Sequence, residues 1–395
     1  MQAVKVLFVT PVFGEVRNGP ALYANILVRA LQNDPDVEFH ILVPEGSVSR
    51  GQFAEHGDLA ESRIHTFPTS AKSFAYYRSM QDRAIDLLGT PAFSNTILHG
   101  NIAHAMAPIL RHSSVSILQI NDYDAARGFV DFLRHAKMGG LRFAASLAWR
   151  HRQEALSIGR VDHLISNSRF LFHELNRLYR IPERVSQRTI HKGVDVLKFS
   201  EPQPRSPLIP QGAQRNLVFV GSNWIRKGLD LAIRVLARLP ADYQDCHLLV
   251  AGETTIGKQE IMRLVDELGV GDRVHFLGSI SRPDLPALLQ HCDVSLLLSR
   301  MEAFGVAVLE SLAAGLPVVA CRRGGIPEIL EGASHSYLVE PDVDEIVAAI
   351  CKALSQDRTL AGLEGRRFAA RFSTERMVNK VKSLYLEIAR SSVAP

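Results

Sequence analysis

The 395-residue chain is 46% hydrophobic and 22% charged, an ordinary balance for a globular enzyme and too long for one core, so two domains are expected. Its net charge of +4 is modest, no nucleic-acid partner is expected, and no apolar run is long enough to span a bilayer. The excess sits early: residues 1–200 hold 23 Lys+Arg and 18 Asp+Glu (+5), leaving 22 and 23 (−1) for the remainder, which fits an anionic partner or plain solvated surface.

In chain order, VKVLFVT (4–10) is a short β-rich run that leads into a glycine-bearing loop. It reads as a first buried strand and not as a signal peptide, so a cytoplasmic location is expected. PALYANILVRAL (20–31) has helical periodicity. FHILVP (39–44), TILHG (96–100), VSILQIN (115–121) and DHLISNS (162–168) read as further strands. EPQPRSPLIPQGAQR (201–215) holds four prolines and no period, and reads as a linker. The pattern then restarts with NLVFVGS (216–222), HLLVAGE (247–253), RVHFLG (273–278), DVSLLLS (293–299) and PVVAC (317–321). Strands alternating with helices predict α/β architecture with two doubly wound parallel sheets and ligand-ready loops at the strands' carboxyl ends. The division is expected at 1–200 and 201–373, with a capped terminal helix over about 374–392 packing back on the first domain. The cysteines, Cys246, Cys292, Cys321 and Cys351, lack metal-ligand spacing and read as buried thiols.

One stretch stands out. SRMEAFGVAVLESLAAGLP (299–317) is mostly small and apolar, yet carries Glu302 and Glu310. The spacing predicts a helix over 304–314 stopped at Gly315, with Gly305 in its first turn and Glu310 about two turns in. A helix N-terminus favours an anion, so a carboxylate there must reach something other than phosphate. Sugar hydroxyls suit Glu302, and a ribose suits Glu310. The plain alternative is a helix-dipole partner and a surface residue. FVGSNWIRKGLDLAI (219–233) places Arg226 and Lys227 in a strand-to-helix loop, where paired cations suit a diphosphate or are simply surface charges. CRRGGIPEIL (321–330) puts Gly324 and Gly325 before a predicted helix start, where two glycines let backbone approach a ligand closely. Together these loops describe a nucleotide-sugar site.

These residues carry a resemblance. SRMEAFGVAVLE, AAGLPVVA and GGIPE match without a gap the pattern of the retaining glycosyltransferases of family 4, the glycogen-synthase-like group with the GT-B fold. VGSNWIRKG looks most like the lipopolysaccharide-core glucosyltransferases of that family, and HKGVDVLKF (191–199) resembles its segment at the domain boundary. The resemblance is strong after residue 190 and thin before it. It implies two Rossmann-like domains whose parallel sheets face a cleft, the first binding the acceptor. It implies that Arg226 and Lys227 neutralise the donor diphosphate and that Glu302 holds donor-sugar hydroxyls. Ala303, Phe304, Gly305 and Val306 would line the sugar and phosphate region, Glu310 would bind the ribose, and Ile280 and Arg282 would face the base. Gly221 and Ser222 stand where many relatives have Gly-Arg, so that arginine is missing. In the first domain, Gly19 would close over the donor phosphates, though Pro20 follows it where a paired glycine is usual. Asn121 stands where many relatives have His. Asn121, Asp122 and Arg169 are therefore candidates for acceptor or cross-cleft contact, and Asp122 for a catalytic role.

The implied reaction is retaining transfer of a hexose from a nucleotide-sugar, a UDP-sugar being expected, to a hydroxyl of a glycan or lipid-linked acceptor in cell-surface polysaccharide or lipopolysaccharide synthesis. No metal or separate cofactor is expected; DYD (122–124) mimics a metal-binding triplet, but such triplets are common by chance. A GT-B nucleotide-sugar epimerase and a catalytically silent sugar-nucleotide-binding homologue are the rival readings. RHAKMGGLRFAASLAWRHR (134–152) interleaves basic residues with Leu, Phe and Trp149, and reads equally as a peripheral membrane contact or as a packed helix with a basic face.

Overall fold

The computed structural model describes residues 3–14, 19–47, 61–69, 73–121, 140–212, 214–254 and 257–391. The chain forms two compact units, Met1–His191 with Met377–Pro395, and Lys192–Arg376. The first contains β1 (Val4–Val9), β2 (Val37–Pro44), β3 (Ile64–Phe67), β4 (Ile97–Gly100), β5 (Val115–Ile120), β6 (His163–Ser166) and β7 (Ser186–Thr189). They form one sheet in the order β3-β2-β1-β4-β5-β6-β7, all pairs parallel. The sheet buries Val6, Phe8, Phe39 and Ile41, which explains why these strands read as near-continuous apolar runs.

The terminal helix Thr374–Ser391 packs on this sheet. Met377, Val381, Leu384, Tyr385 and Ile388 recur at helical spacing and join Val6, Phe8, Ile97 and Ile117 in one apolar cluster. Tyr385 is fully buried, and its hydroxyl lies 2.6 Å from Nδ1 of His99 on β4. Burial without a charged partner pushes the His99 imidazole down to about 3.

The second unit contains β8 (Arg215–Val220), β9 (Cys246–Ala251), β10 (Val274–Gly278), β11 (Val294–Leu297), β12 (Val318–Cys321) and β13 (Tyr337–Val339). Their order is β10-β9-β8-β11-β12-β13, again all parallel. Strand order reverses between β8 and β11, so the loops after these two strands diverge to opposite faces and leave a crevice between them. Two sheets of this kind, each doubly wound, are the GT-B fold. Cys246, Cys292 and Cys321 are buried and Cys351 is partly so; burial pushes the Cys246 thiol up to about 12.

The Pro-rich segment is not a free tether. Ser206 and Ile209 are buried, and Ile209 joins the second-unit core with Val194 and Phe199. Gln290 pins it, donating from Nε2 to the carbonyls of Phe199 and Glu201 and accepting from the Gln203 amide. The units divide between His191 and Lys192, a little ahead of the 200/201 boundary expected from the sequence, and this segment belongs to the second unit. Proline spacing conceals a buried stretch that has neither helical nor strand period.

Candidate functional site

The switch point of the second sheet gathers the residues the sequence singled out. β8 runs into Gly221, whose positive φ of 157° turns the chain out of the sheet. Gly252, after β9, lies so close that a Cβ there would fall 2.4 Å from the Gly221 carbonyl oxygen. Asn223 takes a left-handed conformation and caps the short helix Trp224–Lys227, accepting from the Arg226 amide. Gly228 follows with φ +80° and packs directly on the Leu298 carbonyl. Arg300 locks this helix in place: it donates to Ile225 O at 2.5 Å and bidentately to Asp230 at 2.7 and 2.6 Å. Arg226 and Lys227 thus sit on a braced helical turn, not on a loose loop.

The loop after β11 carries Glu302 opposite them. Lys227 Nζ donates to Glu302 Oε2, with the two side chains only 15% and 12% exposed. Burial drives the Glu302 carboxyl up, but the charges of Lys227, Arg226 and Lys192 outweigh it and hold the group below the ordinary carboxylate range. Arg226 makes one long hydrogen bond, 3.4 Å to Met301 O, and its buried Nε has no partner. A guanidinium so poorly satisfied in a partly buried position is ready for an anion.

Gly324 and Gly325 fix the Glu302 backbone. A Cβ on Gly324, whose φ is +60°, would fall 1.7 Å from the Glu302 carbonyl oxygen, and the Gly325 amide donates to that same oxygen at 3.1 Å. The sequence suggested that these glycines let a ligand approach; the structure shows the protein's own Glu302 loop filling that space.

The helix that follows spans Val306–Ala313, shorter than the pattern predicted. Gly305 precedes it as a left-handed N-cap at φ +108° instead of joining its first turn. Glu310 therefore lies little more than one turn in. Its side chain is 5% exposed, and Arg282, on the loop after β10, donates to it at 2.6 Å. The Arg282 guanidinium also lies 5.7 Å over the Phe199 ring. Ser311, on the same helix, meets Ser295 of β11 at 2.9 Å, which ties the helix to its strand. Ala303 and Phe304 are buried, Ile280 and Val306 are partly exposed, and Ser222 is exposed. Phe304 packs into the apolar cluster with Val308 and Ile326.

Lys192 was missed. It is 7% exposed, yet its charge reaches Glu302 across a sequence distance no local pattern spans. The signal available was a lysine directly before Gly193-Val194-Asp195.

In the first unit, Gly19 opens the helix Gly19–Leu31 with Pro20 in its first turn, a position proline suits. Asn121 follows β5 and donates to Asn101 Oδ1 at 2.7 Å, while Asn167 donates to the Asn121 carbonyl at 2.7 Å. Arg169 is exposed at the start of the helix Arg169–Leu178, which Ser168 caps. Asp122, DYD (122–124) and the first part of 134–152 lie outside the described residues. Among those described, Trp149 on the helix Gly140–Ile158 is 39% exposed. No described helix is long and apolar enough to cross a membrane. No group of three His, Cys, Asp or Glu with metal-holding geometry occurs among the described residues.

Residues 202–366 match the family of glycosyl transferases group 1. The matched segment contains Gly221, Arg226, Lys227, Arg282, Glu302 and Glu310 but neither Lys192 nor Phe199. D-inositol 3-phosphate glycosyltransferase of Mycobacterium marinum is 31% identical over 244 residues, covering 58% of this chain and 50% of its own length. The chain thus spans about half the length of that curated relative. Among solved structures, HepE of Anabaena, in complex with UDP and glucose, has a TM-score of 0.71 at 19% identity, covering 97% of this chain and all of its own. WaaG, a glycosyltransferase involved in lipopolysaccharide biosynthesis, has a TM-score of 0.72 at 19% identity, covering 96% and 99%. Both likenesses extend the GT-B fold to both units.

Proposed function

We propose that the chain is a retaining hexosyltransferase that moves a sugar from a nucleotide-sugar, a UDP-sugar, to a hydroxyl of a glycan or lipid-linked acceptor. The observation that carries this reading is the buried Lys227–Glu302 pair beside the under-satisfied Arg226 at the switch point of the second sheet. HepE, bound to UDP and glucose, supports a uridine donor by likeness of fold.

In this reading the donor diphosphate takes Lys227 and Arg226, which stabilise the charge that grows on the leaving nucleotide. Glu302, released from Lys227, accepts hydrogen bonds from donor-sugar hydroxyls. Glu310 exchanges Arg282 for the ribose, and Arg282 and Ile280 turn to the base. The acceptor hydroxyl attacks on the face from which the diphosphate departs. The departing phosphate takes its proton, so neither a metal nor a side-chain base is required. Asn121 and Arg169 belong to the acceptor side. Cell-surface glycan or lipopolysaccharide synthesis is the proposed setting, with peripheral membrane contact through 134–152.

A thermal-shift panel of UDP, GDP, ADP and their sugars, each with and without EDTA, tests this. Selective stabilisation by the uridine compounds that persists in EDTA and vanishes in Glu310→Ala is the expected result. Stabilisation by none of them in a folded sample refutes it.

A further inference from the structure

The helix Ser73–Leu88 of the first unit presents more than one face. Met80, Ala84 and Leu87 recur at helical spacing and are buried. Tyr77, Gln81 and Ile85 form a second row, one turn apart, and Arg78 and Asp82 a third beside it. These last two rows wall a groove of about 210 Å³, bounded on its other side by Pro108 and by Trp149 of the helix Gly140–Ile158. The first unit alone builds this groove, and none of the residues assigned to the donor lines it.

Its wall is aromatic and its rim polar. The Tyr77 ring stands edge-on to His104 at 4.9 Å between centroids, and His104 edge-on to Trp149 at 6.5 Å. Burial pushes the His104 imidazole down to about 4, so the ring that joins the two lining aromatics is neutral near pH 7. Gln81 donates from Nε2 to the Ala105 carbonyl at 2.8 Å. A carbonyl can only accept, so this bond fixes the amide and leaves Oε1 to accept elsewhere. Arg78 Nε and Asp82 Oδ2 are 3.8 Å apart, beyond hydrogen-bond distance, with the side chains 70% and 66% exposed. Both heads therefore keep their hydrogen-bonding capacity for a ligand.

Resting on the glycan acceptor proposed above, we infer that this groove is a subsite for one neutral hexose ring of a glycan. A pyranose has an apolar C–H face and a girdle of hydroxyls. Trp149 and Tyr77 suit the face, and Asp82, Arg78 and Gln81 suit the girdle. The volume lies below the roughly 300–1,000 Å³ of sites for drug-sized ligands, so about one ring is held and the rest of the chain runs out over the surface. A nucleotide fits less well, because the groove's own cation, Arg78, faces a carboxylate and no second cation lines it. The membrane contact proposed for 134–152 is the competing use of Trp149. A carboxylate and an amide on the rim beside that indole disfavour an anionic bilayer and favour hydroxyls.

The chain's two tryptophans make the test direct. Trp149 is 39% exposed and Trp224 only 3%, so acrylamide quenching of the emission reads Trp149. The probes are maltotetraose, cellotetraose, mannotetraose and galactotetraose, and separately phosphatidylglycerol vesicles. At least one tetrasaccharide is expected to shield Trp149 at millimolar concentration. By saturation-transfer NMR, Trp149→Ala is expected to weaken that sugar about tenfold or more, Asp82→Ala to weaken it several-fold, and Trp149→Phe to keep most of the affinity. UDP binding should be unchanged in all three variants. Shielding by none of the four sugars overturns the inference, as does sugar affinity undiminished in Trp149→Ala. Shielding by the vesicles and not by sugar overturns it in favour of the membrane. The UDP thermal shift, read on the same sample, keeps the two claims apart. A shift retained without sugar binding refutes the groove alone, and sugar binding without a shift supports the groove and refutes the donor site.

Discussion

Replacing Gly324 by alanine should disable the site without touching a ligand-facing atom. Gly324 holds φ +60°, where any L side chain costs about 1–2 kcal/mol. Its new Cβ would lie 1.7 Å from the Glu302 carbonyl oxygen, about half an ordinary contact distance, so the Glu302 loop must retreat by more than an ångström. That retreat breaks the Gly325 amide bond to the same oxygen, about 1 kcal/mol, and pulls Glu302 from Lys227. A loss of about 3 kcal/mol or more follows, or roughly 6–12 °C for a domain of this size. Gly332→Ala is the control, because Gly332 has φ +80° with nothing within 4 Å of its would-be Cβ and meets the strain alone. Thermal unfolding and UDP titration of both variants separate strain from displacement. Equal stability and equal UDP affinity in the two variants would refute the claim that the glycine exists to seat Glu302.

Three other outcomes follow from the same interactions. Lys227→Met leaves a largely buried carboxylate under-compensated and should cost about 3 kcal/mol near neutral pH. The lowered Glu302 group contributes stability above the ordinary carboxylate range that is lost as pH falls through its own depressed value, so the gap between wild type and Lys227→Met, followed by chemical denaturation across pH, should narrow in acid. Arg282→Met strips the partner from Glu310 and should cost about 2 kcal/mol, less than a fully buried pair because Arg282 is 29% exposed; denaturant titration checks it. His99, held neutral by burial to about pH 3, makes stability fall with acid below the unfolded value near 6.5, by about 1.4 kcal/mol per pH unit. His99→Gln should flatten that slope in equilibrium unfolding between roughly pH 6 and 4.

The alternation of apolar strands with helices was enough to read two parallel sheets, because strands covered on both faces leave long hydrophobic runs. Three of the four edge strands escaped: SQRT (186–189) is polar, and IHTF (64–67) and YLV (337–339) are too short for a period. The grouping of Arg226, Lys227 and Glu302 was legible because β8 and β11 are neighbours at a reversal of strand order, so the loops that follow them line the two sides of one crevice. The ion pairs themselves were not. Arg282 meets Glu310 only through the register of β10 and the exact start of the helix Val306–Ala313, and Gly305 as a cap delays that start. Lys192 was invisible because a crossing of two distant chain segments seats it.

The most direct test of the account is the anomer released when the folded protein hydrolyses UDP-glucose, UDP-galactose or UDP-N-acetylglucosamine slowly in EDTA, with water as acceptor. Proton NMR at early times, before mutarotation, reads the configuration. The account predicts that an α-linked donor gives the α-hexose and that Glu302→Gln abolishes its release. A β-hexose, or release undiminished in Glu302→Gln, would contradict retaining transfer at the Lys227–Glu302 site.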